Sequence, residues 1–293
     1  MSWLRSIKPF LADLKKIDPI PTVAEPHYFH DPSIKVVVFD IYGTLLISSS
    51  GDITQADIST ENLITALDAC AIDYPRENTI LQQILNGLRH EISAVHVQNN
   101  GFFKPEIDIK KIWSTVLTDA DLAFEKSQLV SVAFIFETLS NKVYPMPGMQ
   151  KTILALADRG IPLGIVSNAQ FYTPIVMNWF LRESVYEKQI VSEFENNLQI
   201  YSYKEGRAKP DVALYKKLAR NLKVYDAQPR ECLYIGNDML KDVWAAQQAG
   251  FKTGLFAGDA RSLRWRAGHP QLNNVKPDFI FTHLEQILEI VSC

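Results

Sequence analysis

Six residues of this 293-residue sequence could together carry one reaction. Asp40 closes the apolar run VVVF, Ser167 and Asn168 close IPLGIV, Lys209 stands in GRAKPD, and Asp238 and Asp242 belong to IGNDMLKD. A carboxylate can attack phosphorus or an activated carbon and form a covalent aspartyl intermediate. Phosphoryl transfer then asks mainly for positioning and electrostatic stabilisation. The hydroxyls of Ser167 and Thr44 and nearby backbone N–H groups can hold phosphate oxygens, and Lys209 offers a fixed positive charge. Asp40 and Asp238 give a hard Mg2+ ion two carboxylates and leave positions for water and substrate. If GNDMLKD opens a helix, Asp242 stands one turn from Asp238 at the same mouth. Singly, each residue has an ordinary structural explanation. An Asp or Ser after a strand caps the next helix, acids favour helix N-termini, and a lysine before Pro210 is a solvated loop residue.

Five short apolar runs place these residues: IKVVVFD (34–40), IPLGIVSN (161–168), ECLYIGND (231–238), FKTGLFAG (251–258) and PDFIFTH (277–283). Continuous hydrophobicity over so few residues fits parallel strands covered on both faces. Helical patterns stand between most of them: MQKTILALADRG, DVALYKKLARNL and KDVWAAQQAG. Gly160 and Gly250 fall where a helix end wants a residue with positive φ. Alternating strand and helix predicts an α/β fold, a doubly wound parallel sheet whose strand ends carry the ligand site.

Residues 48–142 break this alternation. They hold several helical stretches and no convincing strand; PEIDIKKIWSTVL sets Ile109, Ile112, Trp113 and Val116 on one face. So long a segment predicts an all-helical domain inserted after the first strand, because structureless loops beyond ~15 residues are rare. The boundaries expected are an N-terminal helical extension over 1–33, a core over 34–47 and 143–293, and the inserted helices over 48–142. The opening MSWLRSIKPFLADLKKIDP is interrupted by charges and Pro9, so neither a signal-peptide core nor a membrane span is expected. Its Trp3, Leu4, Ile7, Leu11 and Leu14 suit an amphipathic helix packed on the protein's own surface.

A hydrophobic fraction of 47% and a net charge of −3 describe an ordinary globular chain without a basic footprint for nucleic acid. Cys70, Cys232 and Cys293 are far apart, which suggests free thiols and a cytoplasmic, reducing setting. With Cys293 last in the sequence, no prenylation box is expected. GxGxxG, GxxxxGK[ST], GxSxG and HExxH do not occur. His90 and His96 form no ligand pair. Arg261, Arg264 and Arg266 are expected on a solvated helix face, with contact to an anion as the alternative.

FDIYGTLL, IVSN, the KP of RAKPD, and IGNDMLKD, in that order, resemble the motifs of the haloacid dehalogenase-like hydrolases, and YPMPGM before the second run also fits. The resemblance implies a Rossmann-like core with a helical cap that closes over the site and excludes water. It implies Asp40 as nucleophile, Ser167 and Lys209 as phosphate ligands, and Asp238 as a metal ligand, with Asp242 supporting the metal or Lys209. It also implies that the backbone carbonyl of Tyr42 completes the metal shell. Phosphatase members carry at that position an Asp that protonates the leaving group, and a phenol with a pKa near 10 is no clean replacement.

Three readings follow. A Mg2+-dependent phosphatase acting on a small phosphorylated molecule comes first, because converging acids beside Asp40 are costly without a cation. A 2-haloacid dehalogenase comes second, since D-x-Y-G-T resembles such members and a halide leaves without a proton. The third is a non-catalytic binding or regulatory module. No nucleic acid or membrane partner is expected. Arg76, Arg89, His90 and Lys104 are the polar candidates of the cap.

Overall fold

Strand and helix alternate along the chain much as the hydrophobic pattern requires. Residues 3–49, 58–97, 105–185 and 191–291 are described by a computed structural model. The helix α1 (Leu4–Ala12) precedes β1 (Val36–Phe39) and the short β2 (Leu46–Ser48). Four helices follow, α2 (Thr60–Ala69), α3 (Asn78–Val97), α4 (Ile109–Asp119) and α5 (Lys126–Ser140). Next come β3 (Val143–Pro145), α6 (Met149–Asp158), β4 (Leu163–Ser167), α7 (Thr173–Arg182) and β5 (Gln199–Tyr201). The one-turn α8 (Ser202–Glu205) and α9 (Val212–Asn221) lead to β6 (Cys232–Gly236). A π-helical turn, Met239–Trp244, runs into α10 (Ala245–Gln247), and β7 (Lys252–Phe256) and β8 (Phe279–Phe281) end the series. The side chain of His96, Lys104 and Cys293 lie outside the described residues.

The main sheet has the order β5-β4-β1-β6-β7-β8, and every pairing in it is parallel. β1 is central, with Phe39 registered against Ile165 on one side and Ile235 on the other. Its side chains alternate between two buried layers. Val36 and Val38 join the cluster of Leu214, Tyr215, Leu218 and Tyr234, whereas Val37 and Phe39 join that of Leu163, Ile165 and Ile235. That is why VVVF has no polar face. The doubly wound α/β core is as expected, and Gly160 and Gly250 take φ of 72° and 85°.

Four elements differ from expectation. β5 pairs with the edge of β4, and β2 with β3 antiparallel, although three residues apiece give too short a pattern to read. KDVWAAQQAG, expected as one α-helix, is a π-turn followed by a single α-turn.

The described part of the insertion is helical, and Ile109, Ile112, Trp113 and Val116 of α4 are all buried. Helix α1 lies against α5: Ser6 Oγ is 3.0 Å from Ser131 Oγ, and Trp3 meets Phe134 edge-on. Ile7 and Leu11 are buried there, as an amphipathic helix on the protein's own surface predicts. The segment after α1 runs along the β7–β8 edge of the sheet. Ile20 N–H donates to Asp259, Thr22 Oγ1 to Ala257 O, and His27 forms an antiparallel bridge with Ile280.

Candidate active site

Parallel pairing about β1 brings the chemistry-bearing residues to one edge of the sheet. Asp40 follows the last residue of β1, Ser167 ends β4, and Asp238 lies two residues beyond β6. Asp40 N–H donates to Ile235 O at 2.8 Å, so its backbone is an extension of the sheet. The chain then turns through Gly43, whose φ of 84° suits a glycine.

Lys209 is buried and its ammonium has three partners for its three protons. Nζ lies 2.7 Å from Asp40 Oδ1, 2.6 Å from Asp242 Oδ1 and 3.3 Å from Tyr234 Oη. Burial alone would lower the Lys209 pKa, but Asp242 and Asp40 outweigh it and hold the amine protonated. Burial pushes Asp242 up to about 6 against the pull of Lys209. Asp242 Oδ2 also accepts the Asp238 N–H at 3.0 Å, so Asp242 supports both Lys209 and the chain at Asp238. Asn168 holds the lysine's backbone: its Oδ1 accepts Lys209 N–H at 2.7 Å, and its Nδ2 donates to Lys209 O at 3.4 Å.

Among the described residues, three buried hydroxyls have no hydrogen-bond partner, Thr152 Oγ1 in α6 and two that follow β1 or end β4. The latter two are Thr44 Oγ1 and Ser167 Oγ. Nearly all buried polar atoms in folded proteins are satisfied, so the unpartnered hydroxyls of Thr44, in the turn after β1, and Ser167, at the end of the neighbouring β4, are free to hydrogen-bond a ligand.

Asp238 caps the π-turn, its Oδ1 accepting the N–H groups of Leu240 and Lys241. Its carboxylate also receives Arg266 in a two-pronged contact, Nε at 3.1 Å from both oxygens and Nη2 at 2.6 Å from Oδ2. Burial pushes Asp238 up, but Arg266 prevails and its carboxyl lies below the usual range. This corrects two expectations. Residues 259–268 form a loop rather than a solvated helix face, because the backbone of Arg264 is hydrogen-bonded to Asn237 O and Met239 N–H. The acids are offset by Lys209 and Arg266, so their convergence does not by itself require a metal ion.

Asp40, Asp238 and the Tyr42 carbonyl are hard oxygen donors, which suits Mg2+ in kind. Among the described residues, no cluster of three or more His, Cys, Asp or Glu stands ready to hold a metal. The Tyr42 hydroxyl is 2.9 Å from Thr173 Oγ1, and burial raises its pKa far above neutrality. Glu137 of α5, absent from the sequence-based candidates, faces the same region. It accepts from Asn141 Nδ2 at 3.3 Å and from the Tyr172 hydroxyl, and burial pushes it up to about 7. Only its place in a hydrophobic helix, FIFETLS, marks it in the sequence. Of the cap candidates, Arg76 pairs with Asp68, Arg89 donates to Asn86 and to Ile58 O, and His90 lies by Glu91; none is brought to Asp40 by these contacts.

The model of the family "haloacid dehalogenase-like hydrolase" matches residues 34–250. A glyceraldehyde 3-phosphate phosphatase of Pyrococcus furiosus is 28% identical over 50% of this chain and 54% of its own length. The enzyme of that name from Methanopyrus kandleri is 24% identical over 88% of this chain and 97% of its own. The chain thus spans about half of the first relative and nearly all of the second. A 2-haloacid dehalogenase structure from Pseudomonas syringae pv. Tomato DC3000 superposes with a TM-score of 0.52 at 19% identity, covering 87% of this chain and 97% of that one. That likeness concerns the fold.

Proposed function

The chain belongs to the haloacid dehalogenase-like hydrolase family, and from that premise we propose that it is a Mg2+-dependent phosphatase acting on a small phosphate ester through an aspartyl-phosphate on Asp40. The orphaned Thr44 and Ser167 hydroxyls beside the Asp40–Lys209 pair carry this reading. They and the Lys209 ammonium offer a phosphoryl group donors in a buried site, where charge stabilisation counts most.

In the first step Asp40 forms an O–P bond while the ester P–O bond breaks, and the departing alkoxide takes its proton from solvent water. In the second, water attacks phosphorus, the aspartyl O–P bond breaks, and inorganic phosphate and the Asp40 carboxylate are regenerated. Lys209 holds Asp40 Oδ1, which aims the other oxygen at the substrate and offsets the phosphoryl charge. Asp242 and Asn168 fix Lys209 from its two ends. Mg2+ at Asp40, Asp238 and the Tyr42 carbonyl would supply Lewis-acid neutralisation of the phosphate oxygens. Helices α2–α5 serve as the cap that excludes bulk water.

The Asp238–Arg266 pair and Tyr42 favour a second reading, metal-free hydrolysis of a 2-haloacid by the same Asp40. A panel of glyceraldehyde 3-phosphate, nitrophenyl phosphate, alkyl phosphates and 2-chloropropionate, each with Mg2+ and with chelator, separates the two. Phosphate release that needs Mg2+ and disappears in a folded Asp40→Asn variant is expected. Chelator-insensitive halide release would establish the dehalogenase. No turnover of any substrate, with phosphate mimics still bound, would establish a binding module.

A further inference from the structure

Arg266 reaches Asp238 from a loop that is stitched to the site on two sides. Arg264 N–H donates to Asn237 O and Met239 N–H to Arg264 O, both at 2.9 Å. Asn237 Nδ2 donates to Ser262 O at 2.6 Å, and Ser262 Oγ donates to Gly43 O at 3.3 Å. The loop therefore joins the turn after Asp40 to the turn after β6. Arg266 itself has a φ of 54°, a left-handed conformation that a bulky residue rarely takes without a contact to hold it. What it gains is a planar fork on a buried carboxylate, the geometry in which arginine binds best.

We propose that Arg266 is an internal competitor for the metal position: its guanidinium holds the Asp238 oxygens that a divalent cation would ligate, and the cation enters only as Arg266 lets go. This rests on Asp238 being the metal-facing acid of the proposed phosphatase. Asp238 Oδ1 accepts the N–H groups of Leu240 and Lys241 and Arg266 Nε, and Oδ2 accepts Arg266 Nε and Nη2. This fills the roughly four lone-pair sites of a carboxylate and leaves none for the inner shell of Mg2+ until the guanidinium withdraws. Charge acts in the same direction. Asp40, Asp238 and Asp242 carry −3 against +2 from Lys209 and Arg266, so a dication added with Arg266 still in place would leave the cluster net positive. Metal and arginine thus alternate, and Arg266 sets how much Mg2+ the site requires.

Calorimetric titration of Mg2+ into the wild type and Arg266→Gln tests this without any turnover. The variant should bind Mg2+ about 10- to 100-fold more tightly, the scale on which neighbours of a metal's ligands alter its affinity. Adding Asp238→Asn to Arg266→Gln should remove that gain. If Arg266→Gln does not fold, NMR of the wild-type arginine Nε–H groups gives the same answer. The Arg266 signal should be slow to exchange without metal and should shift and exchange faster as Mg2+ saturates. Equal affinities, or an Arg266 signal unmoved by bound Mg2+, would overturn the competition and leave the metal reading standing. No Mg2+ binding by wild type or variant at millimolar concentrations would overturn both.

Discussion

Lys209 Nζ lies 2.7 Å from Asp40 Oδ1, and both side chains are buried. A lysine so placed serves stability and chemistry together, since without it two buried carboxylates share one site. Lys209→Met should lose turnover and, at pH 7, about 3–5 kcal/mol of stability, the cost of leaving a buried charge uncompensated. Asp242 is already raised to about 6 with the lysine present. A carboxyl raised in the folded state loses its stabilising proton as pH rises, so the penalty should shrink on acidification. Urea denaturation at pH 7 and pH 5 checks this, and equal losses at the two pH values would contradict it.

At Tyr42 the prediction concerns the leaving group. Its hydroxyl is engaged by Thr173, and burial keeps it un-ionised, so it offers no readily released proton. Tyr42→Asp keeps the backbone carbonyl and adds an acid, a group typically contributing about 100- to 10,000-fold. The kcat/KM for alkyl phosphates should rise relative to nitrophenyl phosphate, whose leaving group needs little protonation. A flat ratio with Mg2+ still bound would show that the missing acid does not belong at position 42.

Gly236 is required by a neighbour. A methyl group there would stand 2.3 Å from Asp242 Cγ and 2.4 Å from Oδ2. Gly236→Ala must displace Asp242 from Lys209 and from the Asp238 N–H, costing about 1–3 kcal/mol or more and most of the turnover. Gly160→Ala meets no atom within 4 Å and changes only a left-handed backbone, so about 1 kcal/mol should be lost with activity kept. Wild-type turnover in Gly236→Ala would refute the role given to Asp242.

Glu137 predicts a pH dependence of stability. Its carboxyl is raised from the ordinary 4.5 to about 7 by burial, with Asn141 and Tyr172 as partners and Tyr42 nearby. The folded state therefore keeps a proton that the unfolded chain releases. Its contribution is present below pH 4.5, declines by at most about 3 kcal/mol up to pH 7, and is level above that. Glu137→Gln retains an acceptor for Tyr172 and should be more stable than wild type at pH 8 and little changed at pH 4.5. Parallel melting curves for the two proteins would dispose of this.

The strands were legible because VVVF, LGIVS and CLYIG are covered on both faces, which leaves a continuous apolar signature. Asp40, Ser167 and Asp238 stood out as candidates because each ends or closely follows such a run, whereas Lys209, in the loop GRAKPD, stood out only through the KP pair that resembles the family motif. The contact of Arg266 with Asp238 was not legible. It depends on a loop whose path is set by backbone hydrogen bonds to Asn237 and Met239, and backbone bonds leave no trace in residue type. Glu137 was hidden for a different reason: a lone acid on an apolar helix reads as its solvent face unless the partner across the interface is known.

The segment carrying Ile20, Thr22, His27 and Asp31 is tied to Asp259, Ala257, Ile280 and Ile290. These contacts join parts of the chain more than two hundred residues apart. During synthesis at ~5–20 residues per second, this early segment must wait on the order of ten seconds or more before its native partners exist. Central β1 likewise stays without its β6 neighbour until nearly two hundred further residues have been made. Assembly of this protein is therefore a late event: Val36–Phe39 emerges as an unpaired apolar strand long before it can be enclosed, which is the condition under which chaperones are needed.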